Sequence, residues 1–309
     1  MVQKNSLKPK IIIICGPTAS GKTALAVEVA KKLNSEVISA DSMYIYKGLN
    51  IGTAKPDEME MQGVKHHMID VVNADENFTV SDYKNLAEPI LKNLINEGKI
   101  PIICGGTGFY INSLLYDLSY GNGNDNAEVR EKYKKLAQQN GNEFVYNILK
   151  EVDPESAQKL HYNDLKRVIR ALEIYENGCK KSDIKDDFTP KYDYLAYTIN
   201  HPREVLYERI NSRVDIMVKG GLIDEIKGLL NSGIDRSNQC MQGIGYKEIL
   251  EYFDGNITLD QAIETIKLNT RHYAKRQITF FKRIDGLINL DPSSIENMTA
   301  TILKDFTND

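Results

Sequence analysis

Short apolar runs alternate with longer amphipathic segments in the first hundred residues. The runs predict four buried strands, at residues 11–14, 37–40, 66–69 and 100–104. Between them, residues 24–33 and 81–97 repeat apolar side chains at intervals of three and four, which predicts helices with one buried face. Strands that alternate with helices in this way indicate a parallel sheet covered by helices, an α/β fold.

The pattern changes after residue 116. A cluster of turn residues at 121–125 is followed by helical periodicity in four segments, at residues 129–139, 143–152, 154–160 and 165–177. A polar segment at 180–190 precedes a β-rich run at 192–199, and we expect helices from residue 203 to the end. We therefore predict an α/β core formed by residues 1–119 and 191–309, with an all-helical insertion at residues 120–190.

A phosphate-binding motif follows the first predicted strand. Gly16-Pro17-Thr18-Ala19-Ser20-Gly21-Lys22-Thr23 matches G-x-x-x-x-G-K-[ST] in full, between a strand and a helix as the motif requires. Its glycines let backbone N–H groups turn towards phosphate oxygens, Lys22 adds a positive charge, and the Thr23 hydroxyl can hold Mg²⁺. The alternative is a turn that binds nothing. The context favours a P-loop NTPase-like sheet with a diphosphate or triphosphate site.

Composition narrows the class of protein only slightly. A net charge of −4 over 309 residues neither supports nor excludes a nucleic-acid partner. The four cysteines are widely spaced and predict buried thiols rather than a zinc site or disulfides. Gly16-Pro17 interrupts the first apolar run too early for a signal peptide, and no segment is long enough to span a membrane. We therefore expect a cytoplasmic protein without a membrane partner.

Polar residues follow two of the predicted strands, on the edge of the sheet where ligands bind. Asp41 comes after the second strand and has three possible roles: Mg²⁺ ligand, general base, or cap of a turn. Thr107 lies in the glycine-rich sequence 105–108, which permits either close approach of a ligand or a tight packing turn. Arg213 shares a helical face with Arg209 and suits either a leaving pyrophosphate or a surface ion pair.

Two segments are strongly basic. Residues 264–283 contain seven cationic or titratable side chains against a single acid: Lys267, Arg271, His272, Lys275, Arg276, Lys282 and Arg283. Residues 166–170, in the predicted insertion, are likewise rich in basic side chains and contain no acid. Such charges usually form a solvated helix face, but without neutralising acids they also suit a phosphate backbone. Two basic helices suggest a clamp on an anionic polymer.

These motifs together resemble one family, the tRNA dimethylallyltransferases, also called tRNA isopentenyltransferases, over nearly the whole chain. The resemblance rests on residues 16–23, 41–43, 51–56, 66–67, 105–110, 163–164, 167, 170–173, 243–248, 271, 273–274 and 276–277. Asp41-Ser42-Met43 followed by Ile51-Gly52-Thr53-Ala54-Lys55-Pro56 is its most specific part. Tyr44 stands where the family usually has Gln, and Phe280 where it has Trp.

The resemblance implies transfer of a dimethylallyl group from dimethylallyl diphosphate to the exocyclic N6 amine of the adenine immediately 3′ of the anticodon. It implies that the P-loop binds diphosphate with Mg²⁺ at Thr23, that the insertion grips the anticodon arm, and that the enzyme is a monomer. Asp41 would accept the amine proton, and Thr107 and Arg213 would hold diphosphate and substrate. The implied tRNA contacts are Asp41, Ser42, Met43, Tyr44, Thr107, Lys166, Arg167, Val168, Ile169, Arg170, Gln242, Gly243, Ile244, Gly245, Tyr246, Lys247 and Arg271.

Three other functions are compatible with the P-loop. A nucleotide or small-molecule kinase would use it with Mg²⁺ and ATP for phosphoryl transfer. An isopentenyltransferase that acts on free adenine nucleotides would not need two basic helices. A non-enzymatic NTP-dependent switch is disfavoured because the sequence has no Asn-Lys-x-Asp guanine motif.

Overall fold

The computed structural model describes residues 8–119 and 126–308, so the turn cluster predicted at 121–125 lies outside the described residues. The described chain forms two compact units. One contains the residues up to Leu115 and from Pro190 onward, and the other spans Tyr116–Thr189. The ends of the second unit meet where Asp117 and Asp187 form an antiparallel bridge. The insertion was expected to begin at residue 120, which is itself outside the described residues.

The elements follow one another along the chain as an α/β alternation, then helices, then a further α/β segment. The strands are β1 Lys10–Cys15, β2 Val37–Ser39, β3 His66–His67, β4 Ile102–Gly105, β5 Asp193–Ile199 and β6 Ile288–Leu290. The helices are α1 Lys22–Lys32, α2 Glu58–Met61, α3 Val80–Asn96, α4 Gly108–Leu115, α5 Ala127–Asn140, α6 Asn142–Val152, α7 Pro154–Gln158, α8 Leu165–Glu176, α9 Arg203–Lys219, α10 Leu222–Asn231, α11 Tyr246–Phe253, α12 Leu259–Phe281 and α13 Ile295–Asn308. Within residues 8–119 and 126–308, no helix combines the length and apolarity needed to cross a bilayer.

The six described strands form one parallel sheet in the order β3-β2-β4-β1-β5-β6. β1 lies in its interior, with Ile12 opposite Ile102 of β4 and Leu195 of β5. Because both faces of β1 are covered, its apolar run is continuous rather than alternating. All strands point the same way, so the loops that follow β1, β2, β4 and β5 emerge at one edge of the sheet.

One side of the sheet is packed against α1 and α13. Ile12 and Ile14 of β1 contact a buried cluster that includes Leu25 and Val29 of α1 and Ile302 of α13. This contact fixes the direction in which α1 leaves the loop after β1. The loop between β1 and α1 is therefore anchored to the core at both ends, by the strand before it and by the helix after it.

The strand prediction was incomplete in two places. Residues 203 to the end were expected to be helical, but Ile288–Leu290 forms β6, which pairs with β5 at the edge of the sheet. A run of three residues is too short to show the alternation of apolar and polar side chains that predicts a strand. The strand expected at 66–69 ends at His67, because Met68 and Asp70 have left-handed backbone conformations with φ of 62° and 54°.

Among its described residues, the second unit contains the helices α5–α8 and its closing bridge. Val145 and Leu149 of α6 and Val168 and Leu172 of α8 form its core. Glu173 is fully buried, and its carboxylate accepts hydrogen bonds from Arg130, Arg170 and the backbone N–H of Asn126. This shared carboxylate ties the start of α5 to α8.

We expect Gly105→Ala to destabilise the first unit. A Cβ at Gly105 would lie 2.2 Å from the carbonyl oxygen of Ala40, which is backbone and cannot rotate away. Overpacking of this kind costs about 1–3 kcal/mol or more in the free energy of unfolding. Urea titration followed by circular dichroism would measure it.

Gly228→Ala is the matched control, because a Cβ at Gly228 meets no atom within 4 Å in the middle of α10. Alanine has a higher helix propensity than glycine, so Gly228→Ala should raise the free energy of unfolding by up to about 1 kcal/mol. Equal stabilities for the two variants would contradict the packing argument.

Candidate active site

The loop after β1 has the backbone conformations of a phosphate cradle. Gly16, Ala19 and Gly21 all have positive φ, of 139°, 62° and 96°. Gly21 is the N-cap of α1, whose first turn contains no acidic residue. The free N–H groups and the positive end of the helix dipole therefore point to a site for an anion.

Lys22 is the cation of this loop. Its Nζ donates to the carbonyl oxygen of Pro17 at 3.1 Å. Burial lowers the pKa of Lys22 and the neighbouring Arg213 lowers it further, whereas the charge of Asp41 raises it. A desolvated ammonium group of this kind gains stability from a bound anion such as a phosphate.

Asp41 follows β2 on the same edge of the sheet. Its Oδ1 accepts the backbone N–H of Met43 at 2.9 Å, which is the geometry of a turn cap. Burial raises the pKa of Asp41, while the hydrogen bond from Met43 and the charges of Lys22 and Arg213 oppose that rise. The carboxylate therefore caps a turn and is also a stronger proton acceptor than an exposed aspartate.

The glycine turn at 105–108 joins the loop after β2 to the loop after β4. Thr107 Oγ1 accepts the backbone N–H of Ser42 at 3.0 Å, and the Thr107 N–H donates to Ala40 at 2.9 Å. Tyr273 of α12 lies beside Thr107, which lowers the pKa of the tyrosine against the larger raising effect of burial. Gly105 is required by packing, so the packing interpretation of these glycines is correct for that position.

Gln277 connects the glycine turn to the P-loop, and sequence reasoning did not identify it as a site residue. It is buried on α12. Its Oε1 accepts the N–H of Thr18 at 3.0 Å, and its Nε2 donates to the carbonyl oxygen of Gly106 at 2.9 Å. The spacing of four from Tyr273 predicts a shared helix face, but nothing in the sequence indicates the partners.

α9 holds the other side of the P-loop. Arg209 Nε donates to the carbonyl oxygen of Ala19 at 2.7 Å, and His201 Nε2, just before α9, donates to that of Ser20 at 2.8 Å. Arg213, one turn beyond Arg209, forms no ion pair within residues 8–119 and 126–308. Its guanidinium lies close enough to lower the pKa of Asp41. The surface ion pair considered for Arg213 is therefore not formed.

The segment after Asp41 is anchored by a carboxylate from α10. Glu225 accepts the consecutive N–H groups of residues 50–52, at 2.8, 2.7 and 2.9 Å, and the Tyr246 hydroxyl at 2.7 Å. In the same loop, the carbonyl oxygen of Ala54 accepts the Tyr44 hydroxyl at 2.8 Å. The Tyr44 hydroxyl thus has a protein partner.

Three of the predicted tRNA contacts have buried side chains. The side chains of Val168 and Ile169 lie in the helical core of the second unit, and that of Tyr246 is fully buried at α11. Apolar side chains on the inner face of a helix pack inwards even where their neighbours are basic. Gly245, with φ of 98°, forms the turn that starts α11.

The remaining predicted contacts differ in how accessible they are. Lys166, Arg167, Gln242 and Lys247 are exposed, while Ser42, Met43, Tyr44, Arg170, Gly243, Ile244 and Arg271 are half-buried. Arg170 pairs with Glu173 at 2.6 Å, and Arg271 donates to Asn211 at 2.6 Å. Exposed cations are more readily available to an external anion.

The basic helix is also less free of acids than its sequence indicates. Lys267 pairs with Asp215 of α9 at 2.9 Å and with Glu264 at 3.0 Å. Asp215 is far away in the sequence, so the composition of residues 264–283 could not reveal it. Lys267 is therefore part of an internal ion pair.

With this geometry established, comparison with known proteins identifies related chains. Residues 44–284 match the family model described as IPP transferase. The protein from Caldanaerobacter subterraneus named tRNA dimethylallyltransferase is 50% identical over 284 residues, covering 89% of this chain and 90% of that one. The protein of the same name from Acetivibrio thermocellus is 48% identical over 287 residues, covering 91% and 92%.

Solved structures show the same similarity. The tRNA isopentenylpyrophosphate transferase from Bacillus halodurans is 40% identical, with a TM-score of 0.74 over 97% of this chain and 96% of that one. A eukaryotic dimethylallyltransferase described as acting on tRNA is 31% identical, with a TM-score of 0.80 over 97% of this chain and 80% of that one.

We expect Gln277→Met to lower stability by removing both hydrogen bonds of the bridge. The buried N–H of Thr18 and the buried carbonyl oxygen of Gly106 would lose their partner, at a cost of about 1–3 kcal/mol for each unsatisfied group. Urea unfolding would measure the loss. Gln138→Met, on the exposed face of α5, should leave the free energy of unfolding within about 0.5 kcal/mol of the wild type. Similar losses in both variants would contradict the bridging role.

Proposed function

The chain belongs to the IPP transferase family, and we propose that it transfers the dimethylallyl group of dimethylallyl diphosphate to the N6 amine of the adenine immediately 3′ of a tRNA anticodon. The names of its relatives support both the reaction class and the tRNA acceptor. The observation that carries the proposal is that Asp41 and a complete P-loop lie at the same edge of the sheet, after β2 and β1, with their loops joined through Thr107 and Gln277. A proton acceptor is thus placed at the same edge of the sheet as a cradle for diphosphate.

In the proposed reaction, N6 of adenine forms a bond to C1 of the dimethylallyl group as the bond from C1 to the diphosphate oxygen breaks. The exocyclic amine is a poor nucleophile, so Asp41 takes its proton as the new bond forms. The electron pair of the broken bond leaves with diphosphate. Backbone N–H groups of the P-loop, Lys22 and Arg213 stabilise that growing negative charge, and Thr107 orients the substrates beside Asp41.

The site is compatible with Mg²⁺. Within residues 8–119 and 126–308, no group of three or more His, Cys, Asp or Glu side chains could form a metal cage. Mg²⁺ is commonly held by one or two protein oxygens, substrate phosphates and water. The Thr23 hydroxyl in the first turn of α1 is such an oxygen, and the bound ion would neutralise charge on diphosphate.

We further propose that the helical unit grips the anticodon stem-loop, with the enzyme acting as a cytoplasmic monomer. Lys166 and Arg167 are the exposed cations of α8. Their side chains suit the phosphate backbone of RNA. The target adenine would have to leave the anticodon stack to reach Asp41.

One assay separates this function from its rivals. The enzyme is incubated with labelled dimethylallyl diphosphate, unmodified tRNA and free AMP or ATP, and the labelled acceptor is identified. Label on tRNA is expected. Label on the free nucleotide, or phosphoryl transfer from ATP without any prenyl transfer, would contradict the proposal.

We expect Asp41→Asn to lower turnover by roughly 10²- to 10⁴-fold, the usual cost of losing a general base. A base acts in its deprotonated form, so wild-type activity should rise with pH through the pKa of Asp41. Because burial raises that pKa, the rise should occur above the range of an exposed aspartate. Single-turnover rates across pH would measure both effects.

Asp75→Asn serves as the control for this prediction, because it removes an exposed carboxylate in the same unit. Its rate and pH profile should match the wild type. Near-wild-type turnover by a folded Asp41→Asn enzyme would remove Asp41 from the mechanism.

The salt dependence of tRNA binding should distinguish cations that contact RNA from cations that are paired within the protein. Arg167 is 72% exposed, and its pair with the half-exposed Asp164 at 3.3 Å is a weak surface pair that a phosphate can replace. Arg167→Gln should therefore weaken tRNA binding and flatten the plot of log affinity against log salt by roughly 0.7 to 0.9. Lys267→Gln should leave the slope unchanged, since its charge is already paired with Asp215. Neither variant should alter the affinity for dimethylallyl diphosphate. An unchanged slope for Arg167→Gln would exclude that phosphate contact.

A further inference from the structure

One face of α12 lies along the glycine turn at 105–108. Tyr273 lies beside Thr107, Gln277 donates to the carbonyl oxygen of Gly106, and Phe280 continues the same face. The Phe280 ring occupies the space that a Cβ on Gly108 would need, at 2.1 Å. The last turn of α12 is thus packed tightly against the start of α4.

An exposed aromatic side chain extends this contact to the surface. Phe109 lies two residues beyond Thr107, and its ring meets that of Phe280 edge to face, with centroids 5.3 Å apart. Phe109 is nevertheless 57% exposed. A large apolar ring held by a neighbouring ring but left open to solvent, next to a candidate active site, is typical of a binding surface.

Unpaired cations flank the two rings. Arg276 and Arg283 are both exposed. Arg276 lies one turn before Phe280 on α12, and Arg283 follows Phe280 by three residues, just beyond the end of the helix. Neither forms an ion pair with any residue of the described chain. The guanidinium of Arg276 lies over the Tyr273 ring at 5.7 Å. Aromatic rings beside free cations are the combination that binds single-stranded nucleic acids.

We propose that Phe109, Phe280 and Arg276 form a stacking platform for a nucleobase of the anticodon loop next to the target adenine. This inference rests on the proposed function and extends its acceptor site. When one base leaves a stack, its neighbour loses a stacking partner, and the exposed face of Phe109 replaces it. Arg276 holds the adjoining phosphate.

The other apolar ligand of this enzyme is the dimethylallyl group. A reacting prenyl group needs a site from which water is excluded. Phe109 is mostly in contact with solvent and stands beside free cations, which favours a nucleobase and its phosphate as the occupant. The donor is therefore the competing occupant that the experiment has to exclude.

The test compares Phe109→Ala with Phe109→Trp and with Leu86→Ala. Leu86 is the control, since it is an apolar side chain 45% exposed on α3 of the first unit, outside the helical unit proposed to grip RNA. Affinity for an unmodified anticodon stem-loop and KM for dimethylallyl diphosphate are measured for each. Phe109→Ala should weaken RNA binding by roughly 5- to 150-fold, the range for removal of one stacked base. Phe109→Trp should retain the affinity, Leu86→Ala should resemble the wild type, and KM for the donor should stay constant.

Arg276→Gln provides a second measurement. It should reduce the salt slope of stem-loop binding by roughly 0.7, as expected for one contact to a single strand. Unchanged RNA affinity in Phe109→Ala, or a raised donor KM without an RNA effect, would overturn the platform while leaving the proposed function intact. Failure of the wild-type enzyme to bind the stem-loop would overturn both.

Discussion

The candidate site depends on one buried amide. Gln277 satisfies an N–H of the P-loop with its oxygen and a carbonyl of the glycine turn with its nitrogen. The two loops follow β1 and β4, and their backbone groups have no strand partner at this point. Without such a bridge, each buried group would be unsatisfied, at a cost comparable to much of the net stability of a domain. The distance between the diphosphate cradle and Thr107 is therefore set by a side chain from α12.

The charges around that bridge are balanced against one another. Burial lowers the pKa of Lys22 and raises the pKa of Asp41, so desolvation disfavours the charged form of both groups. Their mutual attraction opposes this tendency. Arg213 lowers the pKa of both groups, which disfavours the charged form of Lys22 and favours that of Asp41. A diphosphate at the P-loop would stabilise Lys22 and raise the proton affinity of Asp41 still further. In the proposed reaction, binding of the donor would thus make Asp41 a stronger base towards the acceptor.

Much of the fold could be predicted because it depends on local sequence. The apolar run of β1 and the adjoining P-loop specify a buried strand, a turn and a helix within one short segment. What could not be predicted depends on distant partners or on very short elements. The internal pairing of Lys267 requires Asp215 of another helix, and β6 is only three residues long. The burial of Tyr246 was missed because its partner Glu225 lies on a different helix.

The supports of the site all come from the second segment of the first unit. The loops that carry the P-loop, Asp41 and Thr107 precede residue 110, whereas Gln277, Arg209 and Glu225 follow the helical unit. Each of these three residues binds loop backbone. Backbone contacts fix the path of a loop while leaving its side chains available for substrate. The first segment therefore carries the P-loop, Asp41 and Thr107, and the second segment adds Arg213 and holds the loops in place.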